Sequence, residues 1–278
     1  HLGSSATGSG SMGGGQVSNP ILVNDELIVY AGGTLYRVNK DTGETIKTGK
    51  MAGSSSFSIN GPTYAGGMIF VALTNGVVQA FDADSLESLW IYHDPLKGQP
   101  NCPITVSNGY AYTGFWNSET RDASFVCIPI ADERPNVKNE EKYAAWRHVQ
   151  TGGFYWAGAC VQNGVLLVGT DDGQDSTSPV LSTGRVLLFD AATGALLDEV
   201  GGICGDVRST ICYDSGSNAY YATSKGGGFI RIKLDATGRK IDSKQTLKLQ
   251  NGTTSVAMST STPVVYKGRA YVGVSGSS

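Results

Sequence analysis

The sequence predicts an all-β protein, a β-propeller of four-stranded blades, and three observations support this prediction. First, a unit of short apolar strands joined by glycine turns recurs along the chain. Second, its copies begin roughly 40 to 57 residues apart, a period that suits a four-stranded propeller blade. Third, 38 of the 278 residues are Gly and 13 are Tyr, a composition that favours strands connected by tight turns.

Each complete copy contains an apolar strand, a glycine turn, a second strand, and a third strand that ends in Asp before a Thr-Gly turn. The first copy reads PILVNDELIVYAGGTLYRVNKDTGETI, and the second reads PTYAGGMIFVALTNGVVQAFDADSLESLW. The Asn-Gly and Gly-Gly pairs supply turns that need positive φ, and the alternating apolar residues give each sheet a buried face. The six copies begin at Pro20, Pro62, Pro103, Cys160, Thr210 and Pro263.

The two ends of the chain differ from the repeat. The sixth copy, PVVYKGRAYVGVSG, has only its first two strands, so about five and a half to six blades are visible, and we expect the propeller to be incomplete at the C-terminus. We therefore expect the chain to be a piece of a longer propeller or a longer protein. Residues 1–16 are Gly/Ser-rich and are interpreted as a flexible tail or vector remnant, which leaves 17–278 as the propeller domain.

A charged segment, ADERPNVKNEEK (131–142), interrupts the third copy. The preceding FVCIPI is predicted to be the third strand of this blade, and the following AAWRHV is predicted to be the fourth. A run of charges between two strands is most simply a solvated loop, and 131–142 is interpreted in this way.

Composition also excludes several functions. Charged residues make up 16% of the chain and the formal net charge is -3, so there is no basic surface for nucleic acid. The sequence has no apolar run of 18 residues, which argues against direct membrane insertion. The five cysteines and three histidines lack the spacing of a zinc site, while a disulfide such as Cys204–Cys212 stays open. Hydrolase, zinc-protease and phosphate-loop motifs are also missing.

The end of the unit follows the pattern Ala-x-Asp-x-x-Thr-Gly-x-x-x-Trp. It occurs as AFDADSLESLW and LFDAATGALLD, with weaker copies RVNKDTGETIK and KLDATGRKID. This pattern resembles the tryptophan-docking repeat of pyrroloquinoline-quinone-like (PQQ-like) β-propellers. The resemblance implies that the Asp and Thr side chains cap the turn and that Trp90 and Trp146 pack between blades. In its amino-acid sequence the chain is most similar to propeller modules of large surface proteins from Gram-positive anaerobes.

The resemblance also bears on function. Quinoprotein dehydrogenases of this family carry a vicinal Cys-Cys pair, a Trp floor under the quinone, and Glu, Asn and Asp ligands to calcium. The sequence has no Cys-Cys dipeptide and no matching ligand set, so we expect no PQQ and no enzyme activity. We expect a non-catalytic binding or scaffold module of adhesion type, extracellular or on a bacterial cell surface. Its partner would be a glycan, a peptide or another domain of a larger surface protein. The alternatives are a quinoprotein-like oxidoreductase with a degenerate cofactor site and an envelope protein-assembly scaffold.

The order of strands in a blade predicts where a ligand binds. Loops from strand four into the next strand one share a face with loops between strands two and three. On that face the aromatics of GGFYWAG either plug the core, with Asp206 and Arg208 as a local ion pair, or form a concave polar-aromatic site. We expect Trp156 mainly to seal the space between adjacent blades. Tyr155 and Trp116 are expected mainly to be exposed for contact with a ligand. The predicted ligand-binding residues are Trp116, Asn117, Tyr155, Trp156, Asp206, Arg208 and Lys225.

The segment TDDGQD is a weak candidate for calcium binding. It places the carboxylates of Asp171, Asp172 and Asp175 around a glycine, and calcium prefers oxygen ligands. It lacks the spacing and the distal Glu of an EF-hand loop. Aspartates also occur in turns because they bond the backbone there. We expect no catalytic residue and no cofactor in this protein. Calcium binding by Asp171, Asp172 and Asp175 is the alternative to the absence of a bound metal.

Overall fold

The computed structural model describes residues 17–54, 60–174, 183–251 and 255–275, and every regular element within these ranges is a β-strand. The prediction of an all-β fold is therefore confirmed. No helix in the described ranges is long and apolar enough to cross a membrane. Residues 1–16, predicted to be a tail, lie outside the described residues.

Four-stranded sheets follow one another along the chain, and in each sheet the strands stand in chain order. The first sheet consists of β1 (Ile21–Val23), β2 (Glu26–Ala31), β3 (Thr34–Asn39) and β4 (Thr45–Lys50). The second contains β5 (Thr63–Ala65), β6 (Met68–Leu73), β7 (Val77–Asp82) and β8 (Ser88–His93). The third is made of β9 (Thr105–Ser107), β10 (Tyr110–Gly114) and β11 (Asp122–Pro129), then, after β12 (Glu140–Lys142), β13 (Trp146–Thr151).

The same order continues in the second half of the chain. The fourth sheet consists of β14 (Cys160–Gln162), β15 (Val165–Gly169), β16 (Gly184–Asp190) and β17 (Leu196–Ile203). The fifth contains β18 (Cys212–Asp214), β19 (Ala219–Thr223), β20 (Gly228–Leu234) and β21 (Ile241–Lys248). Two pairs follow, β22 (Gln250–Asn251) with β23 (Ser255–Val256), and β24 (Val264–Tyr266) with β25 (Arg269–Tyr271).

The chain divides into two compact units, each with its own apolar core. The first comprises residues 1–115 and 126–145, and the second comprises 116–125 and 146–278. In the first unit, Ile28, Leu35 and Phe81 are fully buried. In the second unit, Leu167 and Leu188 are likewise fully buried in the apolar core. The inner strands β15 and β19 are buried at every residue, so both faces of these sheets are covered, rather than the one face that the alternating pattern predicts.

The turns between the first two strands of a blade show why the repeat carries its Asn-Gly and Gly-Gly pairs. In the third blade both central residues have positive φ, 50° at Asn108 and 80° at Gly109. In the fourth blade the values are 51° at Asn163 and 78° at Gly164. Positive φ at both positions is the requirement of a two-residue type I′ hairpin, whose twist matches that of the strands.

The charged segment 131–142 is not simply a solvated loop, and this part of the sequence interpretation is wrong. Its last residues form β12, which pairs in parallel with β8 and adds a fifth strand to the second sheet. Glu140 and Lys142 are only 3% and 4% exposed. The Glu140 carboxylate accepts the backbone N–H groups of Glu133 and Arg134, and the Lys142 ammonium donates to the Ala131 carbonyl. Burial of these charges is possible because each has such partners.

Trp90 and Trp146 occupy the positions that the repeat pattern predicts for a docked tryptophan. Trp90 is fully buried, and its indole N–H donates to the Ile130 carbonyl at 3.0 Å. Trp146 is 9% exposed, and its indole N–H donates to the Ala191 carbonyl at 3.0 Å. A Cβ placed on Gly194 would lie 2.5 Å from the Trp146 ring, so glycine at that turn is what lets the indole pack against it.

The Asp of the repeat caps its own turn. Oδ1 of Asp190 accepts the Thr193 backbone N–H at 2.9 Å and the Thr193 hydroxyl at 3.0 Å. Its other oxygen accepts from the Arg239 guanidinium at 2.9 Å. Hydrogen bonds to the ionised form, led by that from the Thr193 backbone, lower the pKa of Asp190 to about 2.

This lowered pKa predicts a pH-dependent contribution to stability. The capping contribution of Asp190 is present above its ordinary pKa of 3.8 and is lost as the pH falls through that value toward 2. We expect Asp190→Asn to lower the free energy of unfolding by about 1–2 kcal/mol at pH 7, and by much less near pH 2. Urea unfolding at both pH values tests this, with Asp242→Asn as an exposed control. A deficit that is the same at both pH values would contradict it.

Candidate functional site

Five loops meet at one place in the second unit. Main-chain hydrogen bonds connect them: Val207 N–H donates to Thr170 O at 3.0 Å, and Asp171 N–H donates to Gly153 O at 3.0 Å. A third bond runs from Lys225 N–H to Asp206 O at 2.8 Å. The loops are 116–121, 152–159, 170–174, 204–211 and 224–227. They are the connections between strands two and three, and between strand four and the next strand one, that the sequence places on one face.

Glycines allow these loops to approach closely. Gly152 has a φ of 79°, and a Cβ there would lie 2.8 Å from the Cα of Gly173. Gly173 itself has a φ of 71°. Both positions need the left-handed conformation that glycine adopts without strain. The GG of GGFYWAG therefore serves to bring the aromatic residues that follow it against the 170–174 loop.

The aromatic–arginine cluster consists of Trp116, Tyr155, Trp156 and Arg208. The Tyr155 ring packs edge-on against Trp116, with centroids 4.9 Å apart, and lies 4.7 Å from the Trp156 ring. The Arg208 guanidinium carbon sits 4.2 Å from the Tyr155 centroid and 5.4 Å from that of Trp156. These distances are those of cation–π contacts. All four side chains are half-buried.

The three consecutive aromatics have different environments. Phe154 is fully buried and packs against Phe125 at 5.1 Å, so it is a core residue. Trp156 adopts a φ of 59°, which is unusual for a bulky side chain and turns the chain at this point. Burial, the largest influence, raises the pKa of the Tyr155 hydroxyl. The indole N–H groups of Trp116 and Trp156 are buried and have no acceptor among the described residues.

Asp206 links this cluster to the neighbouring loops. Its side chain is 1% exposed, and its Oδ2 lies 2.5 Å from Nη2 of Arg208 and 3.5 Å from Nζ of Lys225. Its Oδ1 accepts the backbone N–H of Asp172 at 3.1 Å. The carboxylate thus holds Arg208 over the aromatic rings. Through its hydrogen bond with the Asp172 backbone, it also fixes the position of the loop at 170–174.

The acidic cluster consists of Glu119, Asp171, Asp172 and Asp206, each of which contributes one carboxylate oxygen, and these four oxygens lie within 4.8 Å of one another. Asp171 is 2% exposed. Burial, together with the charges of Asp206 and Glu119, raises the pKa of Asp171 to about 9. Burial also raises the pKa of Asp172. Asp175, the third calcium candidate from the sequence, lies outside the described residues.

The structure brings together six of the seven predicted ligand-binding residues, in the aromatic–arginine cluster and its contacts with Asp206 and Lys225. The side chain of the seventh, Asn117, donates to the backbone carbonyl of Asp122 at 2.8 Å. Sequence reasoning missed Glu119. It belongs to the loop FWNSETRD, but no spacing in the sequence relates its carboxylate to those of Asp171 and Asp206.

Comparison of the sequence with known proteins gives one family match. The family model described as outer membrane protein assembly factor BamB, a PQQ-like repeat model, matches residues 4–115. No curated protein matches the sequence.

Comparison of the structure shows the fold. The chain is similar to the quinohemoprotein alcohol dehydrogenase of Comamonas testosteroni, with a TM-score of 0.59, 15% identity, and coverage of 82% of this chain and 42% of that one. For the quinohemoprotein alcohol dehydrogenase ADHIIG of Pseudomonas putida HK5 the TM-score is 0.60, with 14% identity and coverage of 83% and 42%. For a europium-containing methanol dehydrogenase the TM-score is 0.58 and the identity is 10%, with coverage of 85% of this chain and 52% of that one. The chain thus spans about half the length of these proteins or less, and the prediction of a PQQ-like β-propeller is confirmed.

The residues do not fit the quinone cofactor named in those enzymes' family. No two of the five cysteines are adjacent, and no disulfide joins cysteines in the described part of the chain. The Trp156 ring already has Tyr155 and Arg208 as neighbours, so it offers no bare floor for a flat cofactor. A calcium ion does fit the donor chemistry of the acidic cluster, because all four of its side chains offer carboxylate oxygens.

Proposed function

We propose that this PQQ-like repeat propeller is a non-catalytic binding module of a bacterial surface or extracellular protein. Its ligand site is the aromatic–arginine cluster of the second unit, formed by Trp116, Tyr155, Trp156 and Arg208. The single observation behind the proposal is the Arg208 guanidinium held 4.2 Å above the half-buried Tyr155 ring.

The cluster has the composition of a binding site. Buried Asp206 fixes Arg208 in place, so little side-chain freedom remains to be lost when a ligand binds. Lys225 is 36% exposed and adds a second cation next to Asp206. Aromatic rings and arginine are the side chains that most often dominate binding energy in protein interfaces.

The chemistry of the cluster favours a ligand that carries hydrogen-bond acceptors and a flat, weakly polar face. The accessible parts of the half-buried rings supply apolar contact surface, and Arg208 and Lys225 supply donors that suit carboxylate groups. An acidic glycan meets both conditions, and we propose it as the ligand class.

A glycan array with matched variants tests this proposal. We expect the wild-type protein to bind carboxylate-bearing oligosaccharides more strongly than neutral ones. Tyr155→Ala and Trp116→Ala should each weaken binding at least about tenfold, because each removes an aromatic ring of the proposed contact surface. Tyr266→Ala, which removes a tyrosine that is 58% exposed elsewhere in the same unit, should leave binding unchanged.

Thermal unfolding of the same variants shows whether they remain folded. Binding that is unchanged in both Tyr155→Ala and Trp116→Ala would remove the proposed site. A parallel peptide array separates ligand classes: peptide binding that these two variants abolish would keep the site and replace the glycan.

An envelope protein-assembly scaffold is the second candidate, and one observation favours it. The family match to outer membrane protein assembly factor BamB covers residues 4–115, which belong to the first unit and exclude the aromatic–arginine cluster. Co-purification from envelope extracts, repeated with Tyr155→Ala, distinguishes the two. Capture of outer-membrane assembly proteins that the variant does not reduce would favour the scaffold.

A further inference from the structure

We propose that the acidic cluster, formed by Glu119, Asp171, Asp172 and Asp206, binds a divalent cation, with calcium the cation that suits it best. Its four carboxylates come from three separate loops of the second unit, at 116–121, 170–174 and 204–211. The inference does not depend on the proposed glycan, because the cation and its ligands are the whole of the site.

The first argument is an unsatisfied buried oxygen. Asp171 is 2% exposed, and its Oδ1 accepts the Gly173 backbone N–H at 3.2 Å. Its Oδ2 is buried and has no hydrogen-bond partner among the described residues, and one oxygen of this carboxylate belongs to the cluster. A carboxylate oxygen removed from water costs free energy unless a donor or a metal compensates it. A cation at the centre of the cluster would supply that compensation.

The second argument is charge. Two cationic side chains, those of Arg208 and Lys225, form ion pairs with the cluster, and both of them contact Asp206. Glu119, Asp171 and Asp172 are left to face one another within 4.8 Å. No cationic side chain in the described part of the chain forms an ion pair with these three, and a divalent cation among them would offset their mutual repulsion when they are ionised.

The third argument is size and donor type. Calcium takes oxygen ligands at about 2.3–2.6 Å, so ligands on opposite sides of the ion lie roughly 4.6–5.2 Å apart. The oxygens of the cluster span at most 4.8 Å, which fits this range. Magnesium needs about 2.0–2.1 Å and near-octahedral geometry, which flexible carboxylates from three loops satisfy less well. Cysteine and histidine are absent from the cluster, so zinc and copper are disfavoured.

Calcium alone, added to protein stripped with a chelator, is the first probe. We expect a saturable calorimetric signal and a rise in Tm of roughly 5 °C at saturating calcium, because the ion binds only the folded loops. Terbium is the second probe, since it replaces calcium and its luminescence is excited through nearby indole and phenol rings. Tyr155 and Trp116 lie beside the cluster and should sensitise it.

Conservative variants make the site assignment specific. Asp171→Asn and Asp172→Asn keep the shape of the side chain but remove a charge, and each should weaken calcium binding at least about tenfold. Asp242→Asn removes an exposed carboxylate on β21 of the same unit and should leave calcium affinity unchanged. Unfolding curves in chelator show that each variant is folded before it is titrated.

The outcomes are distinct. Calcium binding that is lost in Asp171→Asn and retained in Asp242→Asn supports the site. Absence of any calcium-dependent heat, Tm shift or terbium luminescence at millimolar metal overturns it, and so does equal binding in all variants. Because no glycan is present in these titrations, failure here leaves the proposed glycan site untouched, and failure on the array leaves the cation site untouched.

Discussion

Replacing Trp146 by alanine should lower the free energy of unfolding by about 3–5 kcal/mol. The indole is 9% exposed and lies 6.1 Å from the Phe125 ring and 5.7 Å from the Phe189 ring. It also packs on the backbone of Gly194 and donates its N–H to Ala191. The substitution would therefore create a cavity and remove the hydrogen bond from the indole to the Ala191 carbonyl.

Chemical denaturation followed by circular dichroism measures this loss, and two variants interpret it. Trp146→Phe keeps most of the packing and removes only the N–H group, so it should cost about 1–2 kcal/mol. Trp116→Ala removes a half-buried indole from the aromatic–arginine cluster and should cost less than Trp146→Ala. If Trp146→Ala proved as stable as Trp116→Ala, the docked tryptophan would not stabilise the fold in the way described.

Arg208→Gln should lower the free energy of unfolding by about 3–5 kcal/mol when measured in the presence of a chelator. The guanidinium is 11% exposed and its partner Asp206 is 1% exposed, so the variant leaves a buried carboxylate among other carboxylates. Asp206 would keep the Lys225 ammonium at 3.5 Å and the Asp172 backbone N–H at 3.1 Å, but would lose its closest cation. The same variant should abolish glycan binding, because it removes the cation above the Tyr155 ring.

The double variant Arg208→Gln, Asp206→Asn separates the ion pair from its neighbours. Because both charges are removed together, we expect it to recover most of the stability lost in Arg208→Gln. Glycan binding should stay absent, since the guanidinium is still missing. A double variant as unstable as Arg208→Gln would show that the pair itself, rather than an isolated carboxylate, accounts for the loss.

The fold was largely predictable from the sequence because its determinants are local. Type I′ turns need positive φ at two successive residues, and Asn-Gly pairs such as Asn163-Gly164 are the residues that adopt it most readily, so the turn can be predicted from the pair. The docked Trp90 follows the spacing of the repeat pattern in AFDADSLESLW, whereas Trp146 follows the inserted segment 131–142 at the start of the predicted fourth strand. The strand β12 was not predictable, since it pairs with β8 while burying Glu140 and Lys142, and such charged residues are typical of solvent-exposed loops.

The candidate site was predictable in part. The order of strands in a blade correctly placed Tyr155, Arg208 and Lys225 at neighbouring loops. The acidic cluster was not predictable in full, because Glu119 and Asp206 belong to loops far apart in sequence and no spacing rule connects them. Trp156 illustrates a further limit, since its left-handed φ of 59° depends on the loops around it and has no signature in the sequence.

The parallel strand β12 has a consequence for how this protein can associate with other chains. An outer strand that exposes unpaired backbone groups can recruit a strand from another molecule by β-augmentation. In the second sheet, residues 140–142 already pair with Trp90, Ile91 and Tyr92 of β8. In the described sheets of the other blades, the outer strands β4, β13, β17 and β21 are terminal. The edge of the second sheet is therefore β12 itself, which is three residues long and charged at every position, and a short charged edge strand is a poor template for pairing with another chain.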